Sequence, residues 1–317
     1  MFGFFAKARE TPPRFSDAVF ENYLKENTMN FETYDPNASV QELLAAKTYS
    51  AYGTHRAIMA VERFSEDCPL DWEYAEVAHA WRGKELALWP SFCYLPYDMS
   101  HMFFEQVYEV ASDHMLVFGG MHAKYSSFAA WRMTKGIYEL HPGVGALLHR
   151  EDANNKLGDD FPVLPEWCIY LSTPHRSWFN SKLYGVWVQF QWTQHAKERE
   201  LHFLFDTENG QIPMILPIGD WTVEEALARI TTRENLGDHP IGDVELQNFI
   251  KSAAQQLRPI VEMVRFLCRN KGDISNKNGK PGSPVSAQQN RAKPGRKLYA
   301  KDEPTFWIVG TRNAAML

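Results

Sequence analysis

Cysteine is scarce in this sequence. The four residues, Cys68, Cys93, Cys168 and Cys268, lie far apart and form no CxxC pair. That spacing excludes a zinc ribbon or a dithiol redox motif and predicts buried thiols in a reducing compartment. Long apolar runs are missing too, and nothing approaches the roughly 18 uninterrupted apolar residues of a membrane-spanning helix. The opening Met1-Phe2-Gly3-Phe4-Phe5-Ala6 meets charge at Lys7, too soon for a secretory leader. These absences predict a cytoplasmic protein with no membrane partner. There is no HExxH, Walker loop, GxGxxG or GxSxG, so no cofactor, metal or nucleophile is indicated. His101 and Glu105 stand one helical turn apart, but a zinc centre needs three or four ligands.

Aromatic residues are abundant: 14% of the chain, with ten tryptophans. Such residues either thicken a core or line a recognition surface. Charge is uneven. Residues 271–301 hold eight basic side chains against Asp273, a balance of +7, so the formal −6 of the chain leaves −13 on the remainder. An acidic body with a basic arm is not a general nucleic-acid binder. Within the arm, Arg291, Lys293, Arg296 and Lys297 are the candidate contacts to RNA or the ribosome.

Residues 164–217 carry the strand signal, in short runs rich in β-branched and aromatic residues and bounded by turn formers. In 183–192, Tyr184, Val186, Val188, Phe190 and Trp192 share one face and Gly185, Trp187, Gln189 and Gln191 the other. In 201–206, Leu201, Phe203 and Phe205 oppose His202, Leu204 and Asp206. With a last strand at 305–310, the pattern predicts an α+β fold. Its antiparallel sheet of four to five strands is shielded by helices on one side and open at an edge. Helices are expected at 16–25, 40–64, 71–88, 99–115 and 123–134, the last two separated at Gly119-Gly120. Two more are expected at 222–231, capped by Asp220, and at 243–270. The expected division is a helical region 1–140, a connector 141–163, and an α+β domain 164–317 with a mobile basic loop at 271–301.

Several side chains could carry function. Asp206 ends a strand, although Asp-Thr-Glu-Asn-Gly is also what a hairpin turn requires. Glu166 beside Trp167 could be an acid raised by an apolar neighbour, or a solvated strand start. Trp131-Arg132 could stack and present a guanidinium, or place Trp131 in the core with Arg132 reaching outward.

The segment Trp131-Arg132-Met133-Thr134-Lys135-Gly136-Ile137-Tyr138-Glu139-Leu140 resembles a family element WRxTxGIYxL, and Leu164–Tyr170 resembles LP(D/E)WC(V/I)Y. Gly185-Val186-Trp187, Leu201–Thr207 and Thr222–Leu227 follow in the same order. Leu267-Cys268 with Asp273-Ile274, then Glu303-Pro304 with Ile308–Arg312, complete a series covering about 125–312. The chain therefore resembles the second family of type V-A anti-CRISPR proteins. That family's members continue past the final strand into a basic tail, whereas this sequence stops at Leu317. The resemblance implies a non-catalytic inhibitor carried by phages or plasmids. It would recognise the N-terminal polypeptide of the type V-A CRISPR nuclease on the translating ribosome, with loss of the encoding mRNA. An extended peptide needs strand addition or a groove, for which Trp131, Arg132, Tyr138, Trp167, Tyr170, Trp187 and Asp206 are the candidate residues. The alternatives are a ribonuclease or nuclease cofactor acting on the message, and a mobile-element protein that has changed its target.

Overall fold

The computed structural model describes residues 48–67, 72–80, 82, 89–108, 115–141, 144, 155–158, 161, 163–193, 198–231, 242–276, 278–282, 284, 300–301 and 303–310. The expected helix at 16–25 lies outside them, as do Arg291, Lys293, Arg296 and Lys297.

Four helices come first: α1 (Thr48–Asp67), α2 (Trp72–Ala80), α3 (Tyr97–Tyr108) and α4 (Met115–Arg132). Then follow β1 (Gly136–Leu140), β2 (Cys168–Trp178), β3 (Ser181–Thr193), β4 (Glu198–Thr207) and β5 (Gly210–Pro217). Helices α5 (Val223–Ile230) and α6 (Asp243–Arg269) precede β6 (Ile274–Asn276) and β7 (Thr305–Val309). Helix α4 runs straight through Gly119-Gly120, where a break was expected. Glycine lowers helix propensity by only about 1 kcal/mol, which the burial of the rest of the helix, Met121 to Trp131, offsets. The cap of α5 is Thr222 and not Asp220. Its hydroxyl accepts from the Glu225 N–H, and the Glu225 carboxylate accepts from the Thr222 N–H, a reciprocal capping box. Asp220 pairs instead with Lys156 at 2.9 Å.

One seven-stranded sheet has the order β5-β4-β3-β2-β1-β7-β6, more strands than the four to five expected. Strands β2 to β5 form the antiparallel meander that the alternation predicts. Strand β1 is the unexpected one, because it lies parallel to both β2 and β7, so the sheet is mixed. Five residues directly after a long helix give too short a run to show a period of two. Strand β6, three residues inside the basic stretch, is shorter still.

Helices cover both faces, where shielding of one was expected. On one face Val186, Val188, Phe190, Leu201, Phe203 and Phe205 pack under α5 and α6, against Leu257, Ile260, Val261 and Val264. On the other, Ile137, Tyr170, Trp187 and Leu204 pack under α1 to α4, against Phe64, Phe104, Tyr125 and Phe128. The predicted alternation along β3 and β4 therefore holds, except at Tyr184. A bulge between Leu183 and Gly185 turns Tyr184 away from Val186 and leaves its ring under Arg56. No described helix is long and apolar enough to cross a membrane.

Candidate functional site

Asp206 is buried at the end of β4 and is held from three sides. The Arg56 guanidinium of α1 meets it in two contacts, Nε to Oδ2 at 2.6 Å and Nη2 to Oδ1 at 2.8 Å. Arg56 Nη2 also donates to the Thr207 carbonyl at 3.0 Å, and the guanidinium lies 3.6 Å over the Tyr184 ring. The Tyr170 hydroxyl donates to Oδ2 at 3.0 Å. Burial pushes the Asp206 carboxyl up, while the Arg56 charge and the hydrogen bonds from Arg56, Tyr170 and Gln211 oppose that rise. Tyr170 reaches this point only because residue 185 is glycine, since a Cβ there would sit 2.3 Å from its ring. The hairpin reading of the following residues is borne out: Thr207 pairs with Gly210 across Glu208-Asn209, and Gly210 has φ +113.

A second polar cluster surrounds Glu166, only 3% exposed. Its carboxyl lies so close over Gly136 that a Cβ there would come within 2.0 Å of Oε2. The Thr134 and Tyr138 hydroxyls and the Trp307 indole face it, although none closes a hydrogen bond of ordinary geometry. Burial raises the Glu166 pKa to about 7, against the pull of these donors and of Lys301. The same burial and the neighbouring carboxyl push the Tyr138 phenol well up. Of the two readings of Glu166, the buried acid is the one observed.

The remaining candidates divide sharply. Trp131 is buried and donates its indole N–H to the Gly136 carbonyl at 2.9 Å, closing the turn between α4 and β1. Trp167 is buried against His79 and Tyr94 and donates to the Ser91 carbonyl at 3.0 Å. Trp187 sits edge-on to Phe128 and Tyr170. Six of the seven residues offered as peptide contacts, all but Arg132, are thus enclosed between the layers. Arg132 is half-buried, with its guanidinium 4.5 Å over the ring of Trp72 on α2 and not over its neighbour Trp131.

Sequence reading missed Arg56, Trp72 and Tyr184. Arg56 and Asp206 are 150 residues apart, and nothing local marks either as the other's partner. Trp72 stands unremarked on an expected helix, and the bulge that turns Tyr184 has no signature in the alternation. Among the described residues no three His, Cys, Asp or Glu side chains gather so that they could hold a metal. The side chain of Glu105, the expected neighbour of His101, lies outside the described set.

The model of the AcrVA2-like family, described as the anti-CRISPR type V subtype A2 family, matches residues 138–316. The chain belongs to this family. A solved structure described as "Crystal structure of AcrVA2" shares the fold at a TM-score of 0.60 and 17% identity, covering 83% of this chain and 86% of that one. No curated protein matches the chain. The family segments serve the framework of the sheet. Tyr170 and Gly185 with Asp206 build the first polar lock, and Gly136, Tyr138 and Glu166 build the second.

Proposed function

We propose that this chain lowers production of the type V-A CRISPR nuclease by recognising the nuclease's N-terminal polypeptide during translation, which leads to loss of the message. The observation that carries this reading is membership of the type V subtype A2 family over 138–316. The inhibitor acts as a binder and not as an enzyme: Asp206, the strand-end carboxylate that a ribonuclease reading would use, is tied to Arg56 and closed off from solvent.

The site of recognition is the outer surface. Both sheet faces are filled, and the rims discourage strand addition. On β5 the Ile218 N–H turns inward to the Arg199 carbonyl, so even-numbered N–H groups face β4 and odd-numbered positions face out. Pro213 and Pro217 occupy two outward positions and offer no donor, and the Pro217 carbonyl already accepts from the Trp221 indole at 2.8 Å. On the other rim, Pro281 bridges to Ser275 and covers β6. Side-chain recognition by the helical layer fits this architecture better than backbone pairing. The basic residues Arg291, Lys293, Arg296 and Lys297 would add a contact to the ribosome or its RNA.

The deciding experiment pairs two nuclease genes, one native and one with its N-terminal codons changed to encode a different peptide. Co-expression should lower the transcript of the first and spare the second. An equal fall in both would overturn peptide recognition. Cleavage of the message by the purified chain alone would overturn the non-catalytic reading.

A further inference from the structure

Arg132 closes α4 at the point where the chain turns into β1. Its backbone is committed, since its carbonyl accepts from the Lys301 N–H at 3.2 Å. Its side chain is placed by a ladder of rings. The guanidinium lies over Trp72, and Trp72 stacks on Tyr125 at 5.3 Å with the ring planes 2° apart. Tyr125 stacks on Phe103 at 5.3 Å, and Phe103 packs on Tyr74 at 4.3 Å. The Trp72 indole is further fixed by its hydrogen bond to the Ser65 hydroxyl at 3.1 Å. A guanidinium on such a platform loses little freedom when it binds, because the platform has already fixed it.

Among the described residues nothing accepts a hydrogen bond from that guanidinium. Burial lowers its pKa, while the charge of Glu76 opposes that fall. Other arginines differ. Arg56 is closed on Asp206, Arg258 donates to Glu224, and Arg265 reaches Glu262 and the Lys156 carbonyl. Arg229 also rests on a ring, that of Trp221, but it is exposed and keeps its access to solvent. A half-buried guanidinium has lost part of its hydration, so an anion arriving from outside gains a charge-assisted contact at reduced desolvation cost.

We propose that Arg132, held on Trp72, is a recognition arginine that takes a carboxylate of the partner polypeptide in a two-point contact. This rests on the peptide-binding reading and specifies its chemistry: the recognised segment presents an Asp or Glu. A lone carboxylate suits the site better than a nucleic-acid backbone. Trp72 shares its helix with Glu73 and Glu76, and the chain outside 271–301 carries −13, which repels a polyanion.

The test uses the full-length protein and synthetic N-terminal peptides of the nuclease, each acidic residue replaced in turn by its amide, with binding read by fluorescence anisotropy. Arg132→Lys keeps the charge and removes the fork, and thermal melts confirm that it folds. One amide peptide and Arg132→Lys should each weaken binding about tenfold or more, the scale of a hydrogen bond to a charged group. Combined, the two changes should cost no more than either alone. If the wild type binds while Arg132→Lys and Arg132→Ala bind equally well, or if the two losses multiply, the carboxylate contact is wrong and peptide recognition stands. If the wild type binds no nuclease peptide, the functional reading fails and takes this inference with it. Arg132-dependent binding of an RNA oligonucleotide in place of the peptide would also overturn the proposal.

Discussion

At the scale of single residues, buried polar groups set the strongest expectations. Removing one partner of a buried ion pair leaves the other charged and unanswered, at a cost of about 3–5 kcal/mol, whereas replacing both with apolar groups can be nearly neutral. Arg56→Met should therefore destabilise the fold by roughly that amount. The double variant Arg56→Met with Asp206→Leu should recover much of the loss in urea unfolding curves. Glu166 gives a pH signature. Its folded-state pKa of about 7 lies above the ordinary carboxyl value of 4.5, so the folded protein holds this proton more tightly than the unfolded chain. The site's contribution is fully present below about pH 4.5 and declines as pH rises toward 7, by on the order of 3 kcal/mol. Glu166→Gln should remove that decline, so the difference in stability between variant and wild type should grow in the variant's favour from pH 5 to pH 8. A difference that stays flat across this range would mean that Glu166 ionises freely when folded. Of these groups, Asp206 and Glu166 could be singled out in the sequence as candidates, each with an ordinary turn or strand-start reading beside it. The sequence did not disclose Arg56, because a contact across 150 residues leaves no local trace.

At the scale of elements, legibility follows length and period. Strands β3 and β4 alternate over ten or more residues and show both their faces in the sequence, and α6 shows its apolar stripe over 27 residues. Strand β1 is five residues long and lies between β2 and β7, so its hydrophobicity reflects burial on all sides and not a period of two. The prolines of β5 were visible as letters, but their outward position depends on the register with β4, which only the folded sheet fixes. That position yields a prediction about assembly. An edge strand with all its donors is a template for pairing, and proline on the outward side removes one. Pro213→Val restores an N–H between the outward Gln211 and Ile215. The variant should self-associate with rising concentration in sedimentation velocity while the wild type, measured alongside, associates less. Identical sedimentation of the two would show that β5 is protected by something other than proline.

At the scale of the whole molecule, the two cores share one sheet. The family match begins at Tyr138, beyond all four covering helices, yet those helices bury Ile137, Tyr170, Trp187 and Leu204. The likeness to the solved AcrVA2 structure covers 83% of the chain, more than residues 138–316 can supply, so the shared fold extends into the helical layer. The motif-bearing half is therefore only part of a physical unit. Without α1 to α4, Asp206 loses Arg56 and a fully buried aromatic surface faces water, at about 25 cal/mol per Å² of apolar area. An exposed apolar patch of that kind drives aggregation. A fragment starting at Gly136 should retain β-rich far-ultraviolet dichroism, lose near-ultraviolet signal from its tryptophans and bind a hydrophobic dye. The intact chain should unfold in one transition, with tryptophan fluorescence and helical dichroism changing together, because Trp187 and Tyr170 sit against the helices whose loss is being measured. A fragment with a sharp melt and no dye binding would show instead that the sheet with α5 and α6 stands alone. The helical layer would then be free to serve recognition without holding the fold together.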